Sequence, residues 1–220
     1  MKIIIPARGG SKRVLNKNII DLNGKPLITY VVESSLQVAE EVYVSTDSLD
    51  IEEAVRKYDV KIIKRPPALA TDFSTTNSVI KHFIEHLTKE KKDVEYFACV
   101  QPTSPLLTPR FLKEGFKKIQ KSSYNSIVSV SECAGFFWDR NHQPINFERD
   151  KRQRTQDMES WYVENGAFYM TSATDFMLTN NLINGKVGFI VMPRNLSFEI
   201  DTYEDAEIIE SIICSKEVKR

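Results

Sequence analysis

The sequence predicts a three-layer α/β protein, a mostly parallel sheet with helices on both faces. Two observations point there. Short apolar, β-rich runs alternate with longer helical patterns from the N-terminus to about residue 130. The segments richest in Gly, Pro and polar side chains, 7–18, 46–48 and 101–106, each follow a strand-like run. In parallel sheets ligands bind beyond the carboxyl ends of the strands, so these loops mark the functional edge.

Taken in order, residues 2–6 form the first strand and 26–39 a helix, with Leu27, Tyr30, Val31 and Leu36 along one side. Residues 41–46 (EVYVST) form a second strand, 50–58 a helix and 60–63 a third strand. A helix over 75–89 is expected to be capped near Ser74. Strand 96–100, helix 109–121 and strand 126–130 continue the rhythm. It breaks over 133–163, a stretch holding Phe136, Phe137, Trp138, Trp161 and Tyr162 among many charges. A connection of about thirty residues far exceeds the usual ~4–6 and reads as a functional loop or a docking arm. Strands near 167–171 and 187–192 follow, then a last helix within 199–213.

With 220 residues, 41% hydrophobic and 27% charged, the chain suits one folded unit carrying that arm, and not a disordered polymer. Thirty acids balance thirty bases, which disfavours nucleic-acid binding even though RDKRQR at 149–154 is a small basic patch. Cys99, Cys133 and Cys214 form no CxxC pair and read as reduced thiols. There is no signal-peptide layout and no apolar run near the ~20 residues of a membrane span, so a soluble cytoplasmic protein is expected.

Three constellations carry chemistry. The first is the loop after strand 2–6, where Gly9, Gly10 and Ser11 stand among Arg8, Lys12, Arg13 and Lys17. Glycines let backbone N–H groups approach oxygens, and a triphosphate of about four negative charges needs several cations. Asn16 and Asn18 add amides for a base or ribose. The loop is neither a Walker A nor a GxGxxG motif, and taken alone it is also a common kind of surface turn. The second is Gln101-Pro-Thr-Ser-Pro-Leu106, where two prolines stiffen a turn that presents Gln101, Thr103 and Ser104. The third is Glu199-Ile-Asp201. Strand-like alternation would put both carboxylates on one side with Ile200 facing inward, a pair suited to Mg²⁺ beside phosphates. The same residues also suit a helix N-terminus capped by Asp201 or Thr202, and the two readings can coexist. Acids 204, 205 and 207 read as a solvated helix face. His82 and His86, spaced i, i+4, lack a third ligand and read as solvated or core-edge residues.

Together these stretches resemble the CMP-sialic acid synthetases (acylneuraminate cytidylyltransferases). The shared segments are IPARGGSKR with NKNI, STDS at 45–48, RPPALATD at 65–72, QPTSPL at 101–106, ENGAFY at 164–169 and EID at 199–201. The first loop places the chain on the nine-carbon rather than the octulosonate side of that family. The resemblance implies a Rossmann-like nucleotidyltransferase fold with a dimerisation arm. It also implies CTP and a nine-carbon 2-keto-3-deoxy sugar acid as substrates, CMP-sugar and pyrophosphate as products, Mg²⁺ as cofactor, and a homodimer with shared sites.

By the same resemblance, Arg8, Gly9, Gly10, Ser11, Lys12, Asn18, Arg65, Ala70, Asp72 and Ser74 contact the nucleotide. Gln101, Thr103, Ser104, Arg154, Asn165 and Tyr169 contact the sugar. Glu199 and Asp201 hold the metal, and Lys12, Arg8 and Asp201 act in catalysis. Three positions depart from the family pattern: Glu199 replaces a common aspartate, Leu107 stands where arginine is frequent, and RTQD replaces RRQD. The last two lie on the sugar side and point to a deaminated, legionaminic or pseudaminic acid. An eight-carbon acid, a sugar 1-phosphate or a non-catalytic nucleotide-binding role are the rival readings.

Overall fold

Seven strands form one sheet in the order β5-β4-β1-β6-β8-β7-β9 in the computed structural model, which describes residues 1–217. Strand β1 spans Lys2–Pro6; a two-stranded hairpin, β2 (Asp21–Leu22) and β3 (Lys25–Pro26), leads into helix α1 (Leu27–Leu36). Then come β4 (Glu41–Thr46), α2 (Leu49–Val55), β5 (Lys61–Lys64), α3 (Thr76–Lys89), β6 (Tyr96–Val100) and α4 (Pro109–Lys121). The chain continues through β7 (Ser126–Cys133), β8 (Trp161–Ser172), α5 (Ala173–Thr179), β9 (Val187–Met192) and α6 (Tyr203–Glu217). Among the seven strands only β8 runs against the rest, pairing antiparallel with β6 and β7.

The alternation of strand side chains explains the three layers. Ile3 and Ile5 pack under α1, α2 and α4 with Val42, Val44 and Phe116. Ile4, pointing the other way, packs under α3 and α5 with Tyr43, Phe83, Phe97 and Phe176. A strand buried on both faces therefore needs the unbroken apolar run that residues 3–5 supply. A third cluster, Leu22, Leu27, Leu106, Ile200, Ile209 and Ile213, seats α6 beside the start of α1. None of the described helices is long and apolar enough to cross a membrane.

Strands at 2–6, 41–46, 96–100 and 187–192 and the helix at 109–121 lie where the sequence places them, while helix α1 is shorter at its C-terminus than the expected 26–39. Helix α3 is capped by Thr75, whose side chain accepts from the Ser78 N–H, and not by Ser74. Ser74 instead braces its own turn, accepting from the Thr71 N–H at 3.2 Å and donating to the Ala68 carbonyl at 3.2 Å. The β2–β3 hairpin, absent from the sequence expectations, turns at Asn23 and Gly24, both at positive φ, the Asn-Gly pair that favours a two-residue turn. Helix α5 is a second addition, only seven residues long.

Strand β8 is far longer than the expected 167–171. Its first residues, Trp161 to Val163, pair with Cys133, Glu132 and Ser131, so they belong to the sheet and not to the irregular stretch. What remains of that stretch has order of its own. Phe136 and Trp138 meet Phe147 edge to face at 4.8 and 5.0 Å, and the Arg152 guanidinium lies 3.9 Å from the Phe136 ring centre. Phe137 stacks on Trp161 at 5.4 Å, fastening the arm to the end of β8.

Candidate active site

The parallel strands β1, β4, β5 and β6 all end at one edge of the sheet, and the loops that leave them meet there. The backbone N–H of Gly9 donates to Asp47, after β4, at 2.9 Å. A Cβ on Gly9 would lie 3.1 Å from that of Ser48, so the two loops touch through the glycine. Gly10 has φ +66°, a left-handed conformation that suits glycine at this sharp turn. The Asn18 side chain, buried, donates to the Arg8 carbonyl at 2.9 Å and closes the loop on itself. Here Asn18 serves the loop's shape.

All four cations of this loop carry carboxylate partners. Arg8 pairs with Asp72 at 2.9 Å, and Lys12 pairs with the other oxygen of the same carboxylate. Their two charges hold the Asp72 carboxyl below the usual range. Arg13 and Lys17 both reach Asp201, at 3.2 and 2.9 Å, and Lys17 also donates to the Ile200 carbonyl at 3.0 Å. Lys17 first, and Arg13 after it, hold the Asp201 carboxyl below the usual carboxylate range. The phosphate-loop candidate and the acid pair near residue 200 are thus one site, joined again by the Leu15 N–H donating to the Tyr203 hydroxyl at 3.2 Å. Lys17 and Asp47 belong to this candidate site too; the sequence marks them only as a charge of the first loop and as part of the STDS segment, because their partners lie far off in the chain.

Arg65 sits at the end of β5 and is buried at 7% exposure. Its guanidinium donates to the Ser45 carbonyl at 2.7 Å, and burial lowers its pKa to about 10, against the attraction of Asp47. Asp72, a nucleotide contact by the resemblance, pairs here with the cations of the first loop. Ala70 lies on the same turn, its carbonyl 3.5 Å from the Arg8 guanidinium.

The 101–106 turn is tied to both neighbours. The Gln101 N–H donates to the Ala167 carbonyl at 3.0 Å, and the Thr103 carbonyl accepts from the Ile200 N–H at 2.9 Å. Ile200 is wholly buried against Leu106, as its inward-facing position requires. Ser104 is buried at 2% exposure with its hydroxyl unpartnered, so it lies beneath the turn's surface. Leu107 is core, packed with α1 and α4, and its carbonyl accepts from Ser34 at 2.7 Å.

Strand β8 reaches this edge through a bulge. Its pairing with β7 shifts between Val128 and Val130, and Ser129 fills the gap by bonding both the N–H and the carbonyl of Phe168 at 2.9 and 3.0 Å. Gly166, φ +64°, lies in the shifted segment, and a Cβ there would fall 2.6 Å from the Glu199 carboxyl carbon. The missing side chain is the space in which Glu199 sits. Burial first, then the nearby Asp201 charge, raises the Glu199 pKa. Asn165, also buried, donates to Ser197 at 2.9 Å and so steadies the segment that carries Glu199. Tyr169 donates to Glu164 at 3.2 Å, and burial pushes its phenol well above the ordinary range.

Residues 199–202 are not a strand, but the pair does lie at one site. Thr202, not Asp201, caps α6, in a reciprocal arrangement with Asp205. Thr202 Oγ1 accepts from the Asp205 N–H at 3.2 Å, while the Asp205 carboxylate accepts from the Thr202 and Asp201 N–H groups at 2.8 and 2.9 Å. Asp205 is therefore a cap partner and not part of a solvated face. This leaves the Asp201 carboxylate turned to the loop cations. Two carboxylates, one of them buried beside the charge of the other, are a donor set of the kind that suits a hard divalent cation. Arg154 stands apart: it is exposed on the arm, its guanidinium bound to Asp157 at 2.7 and 3.3 Å.

A cytidylyltransferase family model matches residues 2–217. The chain is 33% identical to a pseudaminic acid cytidylyltransferase of Campylobacter jejuni over 213 residues, 93% of this chain and 92% of that one. It is 32% identical to N-acylneuraminate cytidylyltransferase B of Danio rerio over 94% of its own length, but spans half of that longer protein. Among solved structures, a CMP:2-keto-3-deoxy-manno-octonic acid synthetase complexed with CTP superposes with a TM-score of 0.68, at 20% identity and covering 97% of this chain and 98% of that one. Matched from its first strand to its last helix, the chain belongs to the cytidylyltransferase family, on the branch that holds the sialic-acid-type enzymes.

Proposed function

We propose that this chain activates a nine-carbon 2-keto-3-deoxy sugar acid with CTP, giving the CMP-sugar and pyrophosphate, and that the acid is of the pseudaminic type. The observation that carries the reaction is the meeting of the basic loop with the Glu199–Asp201 pair at one edge of the sheet. The full-length likeness to a pseudaminic acid enzyme supports the choice of sugar.

In the proposed reaction the anomeric hydroxyl oxygen bonds to the α-phosphorus as its proton passes to solvent, the bond from that phosphorus to the β-phosphate oxygen breaks, and pyrophosphate leaves. Arg8 and Lys12 hold the β- and γ-phosphates and offset the charge that develops on the leaving group. Gly9 and Gly10 let backbone approach those oxygens. Glu199 and Asp201 would hold Mg²⁺, which when bound screens phosphate charge and acidifies an oxygen attached to it. Lys17 and Arg13 keep Asp201 ionised and aimed. The sugar lies against Gln101, Thr103 and Tyr169.

The chain acts as a homodimer, with the arm of one copy closing the sugar pocket of the other. Arg154 bound to its own arm, and the exposed Trp138, Trp161, Tyr162, Phe189 and Val191, support this. A guanidinium delivered by the partner's arm would grip the sugar carboxylate.

The test is a panel of nine- and eight-carbon keto acids with CTP and Mg²⁺, scored by pyrophosphate release, then repeated with UTP, ATP and GTP. Turnover is expected with pseudaminic acid and CTP. Preference for an eight-carbon acid overturns the sugar, and CTP binding without turnover on any acid overturns the enzyme.

A further inference from the structure

Among the described residues the phosphate loop is neutralised from within. Asp72 engages Arg8 and Lys12, Asp47 takes the Gly9 N–H, and Asp201 engages Arg13 and Lys17. The three acids are held differently. Asp201 is tied to the core through Ile200, and Asp47 follows directly on β4. Asp72 rides on the 66–75 turn, in which no residue is buried and Phe73, beside it, is 94% exposed. That turn is braced internally by Ser74 on Thr71 and Ala68. Its links to the phosphate loop are the Arg8 and Lys12 pairs and the long contact from Arg8 to the Ala70 carbonyl.

We infer that Asp72 is an internal anion standing where the β- and γ-phosphates bind, and that it sets the charge a ligand must bring to enter. The inference rests on the reading of Arg8 and Lys12 as phosphate-binding residues. A carboxylate brings one negative charge to two cations. A triphosphate brings about four, and displaces it. Inorganic phosphate offers little more charge than Asp72 already supplies, so Asp72 weakens its binding. Both pairs are partly exposed, Lys12 at 77% and Asp72 at 38%, so each is weak and the exchange is reversible. Asp72 is a selectivity residue that acts through Arg8 and Lys12 and need not touch the reacting atoms.

The probe is inorganic tripolyphosphate, which has neither base nor sugar, titrated calorimetrically into the wild type, Asp72→Asn and Asp72→Glu without divalent metal. Asp72→Asn is expected to bind about fivefold tighter, since two exposed ion pairs no longer compete. Its affinity should fall more steeply with salt, because two uncompensated cations now meet the ligand. Inorganic phosphate should become a measurable competitor. Asp72→Glu keeps the charge and should follow the wild type. The inference is overturned if Asp72→Asn binds tripolyphosphate equally or more weakly, since Asp72 would then orient the cations for the ligand. A shift in the thermal melt of Asp72→Asn moves the same comparison to Asp72→Ser. Failure of turnover in the keto-acid panel would sink the cytidylyl reading but leave this result standing.

Discussion

Glu199 and Asp201 are two residues apart and held in opposite ways. Asp201 has two cations and a pKa pulled down; Glu199 has burial, Asp201 and a pKa pushed up. One is an anchored anion and the other a buried carboxylate beside a like charge, a pair whose repulsion a divalent ion would relieve. Asp201→Asn and Glu199→Gln should each lower turnover ~10²–10³-fold, the scale of one lost transition-state contact. Asp201→Asn should in addition loosen the loop, because Arg13 and Lys17 lose their acceptor. Pyrophosphate release with matched thermal melts checks both, and unchanged turnover in either variant refutes its role. Gly166→Ala tests the space in which Glu199 sits. A side chain at φ +64° costs about 1–2 kcal/mol, which a denaturant midpoint will show. Displacement of Glu199 should cost activity well beyond that loss of stability. A variant destabilised but fully active would mean the glycine serves the bulge alone.

The β1–β4 pair shows how an element carries its own electrostatics. Glu41, at the start of β4, accepts from Lys2 on the neighbouring strand and also pairs with Lys61 on β5. These contacts lower its pKa to about 2, against an ordinary value of 4.5. A depressed carboxylate stabilises the fold above the unfolded pKa and stops doing so as pH falls through the folded one. Stability should therefore drop between about pH 4.5 and pH 2 in the wild type. Glu41→Gln should be less stable at neutral pH, with the difference closing toward pH 2. Thermal melts across that range decide it, and a constant difference would mean that Glu41 acts through packing. At this same scale the sequence was most legible where local rules act alone. Strands 2–6, 41–46 and 96–100 are short apolar runs closed by turn residues, and helix 109–121 opens on Pro109 and carries one apolar face. Strand β8 starts earlier than its local pattern shows, because Trp161, Tyr162 and Val163 are exposed and follow a charged stretch. Only pairing with β7 makes them a strand.

The whole molecule leaves one face unfinished. Tyr162 on β8 lies 5.6 Å from Phe189 on β9, both exposed, and exposed Val191, two residues beyond Phe189 on the same strand, shares its side of the sheet. Arg154, expected at the sugar, is engaged with Asp157 on the arm. A second copy would cover the first feature and bring the second to a site. Sedimentation equilibrium should show a dimer. Arg154→Ala should raise KM for the sugar acid about tenfold, the loss of one charge-assisted contact, while leaving KM for CTP unchanged. A fully active monomer would refute the shared site.

The layers, and the sheet edge where the candidate site lies, were legible in the sequence. Hydrophobic periodicity and turn chemistry are local, and each loop that matters follows a strand whose run is readable. So were the residue types that meet at that edge, since a glycine turn among cations and a pair of acids can be seen without coordinates. The tertiary structure alone decided who partners whom. Asp72 on Arg8 and Lys12, Asp201 on Lys17 and Arg13, and Glu199 over Gly166 join residues distant in the chain. Those distances close only when the sheet orders its strands, so the charge balance of the first loop is a property of the fold and not of any segment within it.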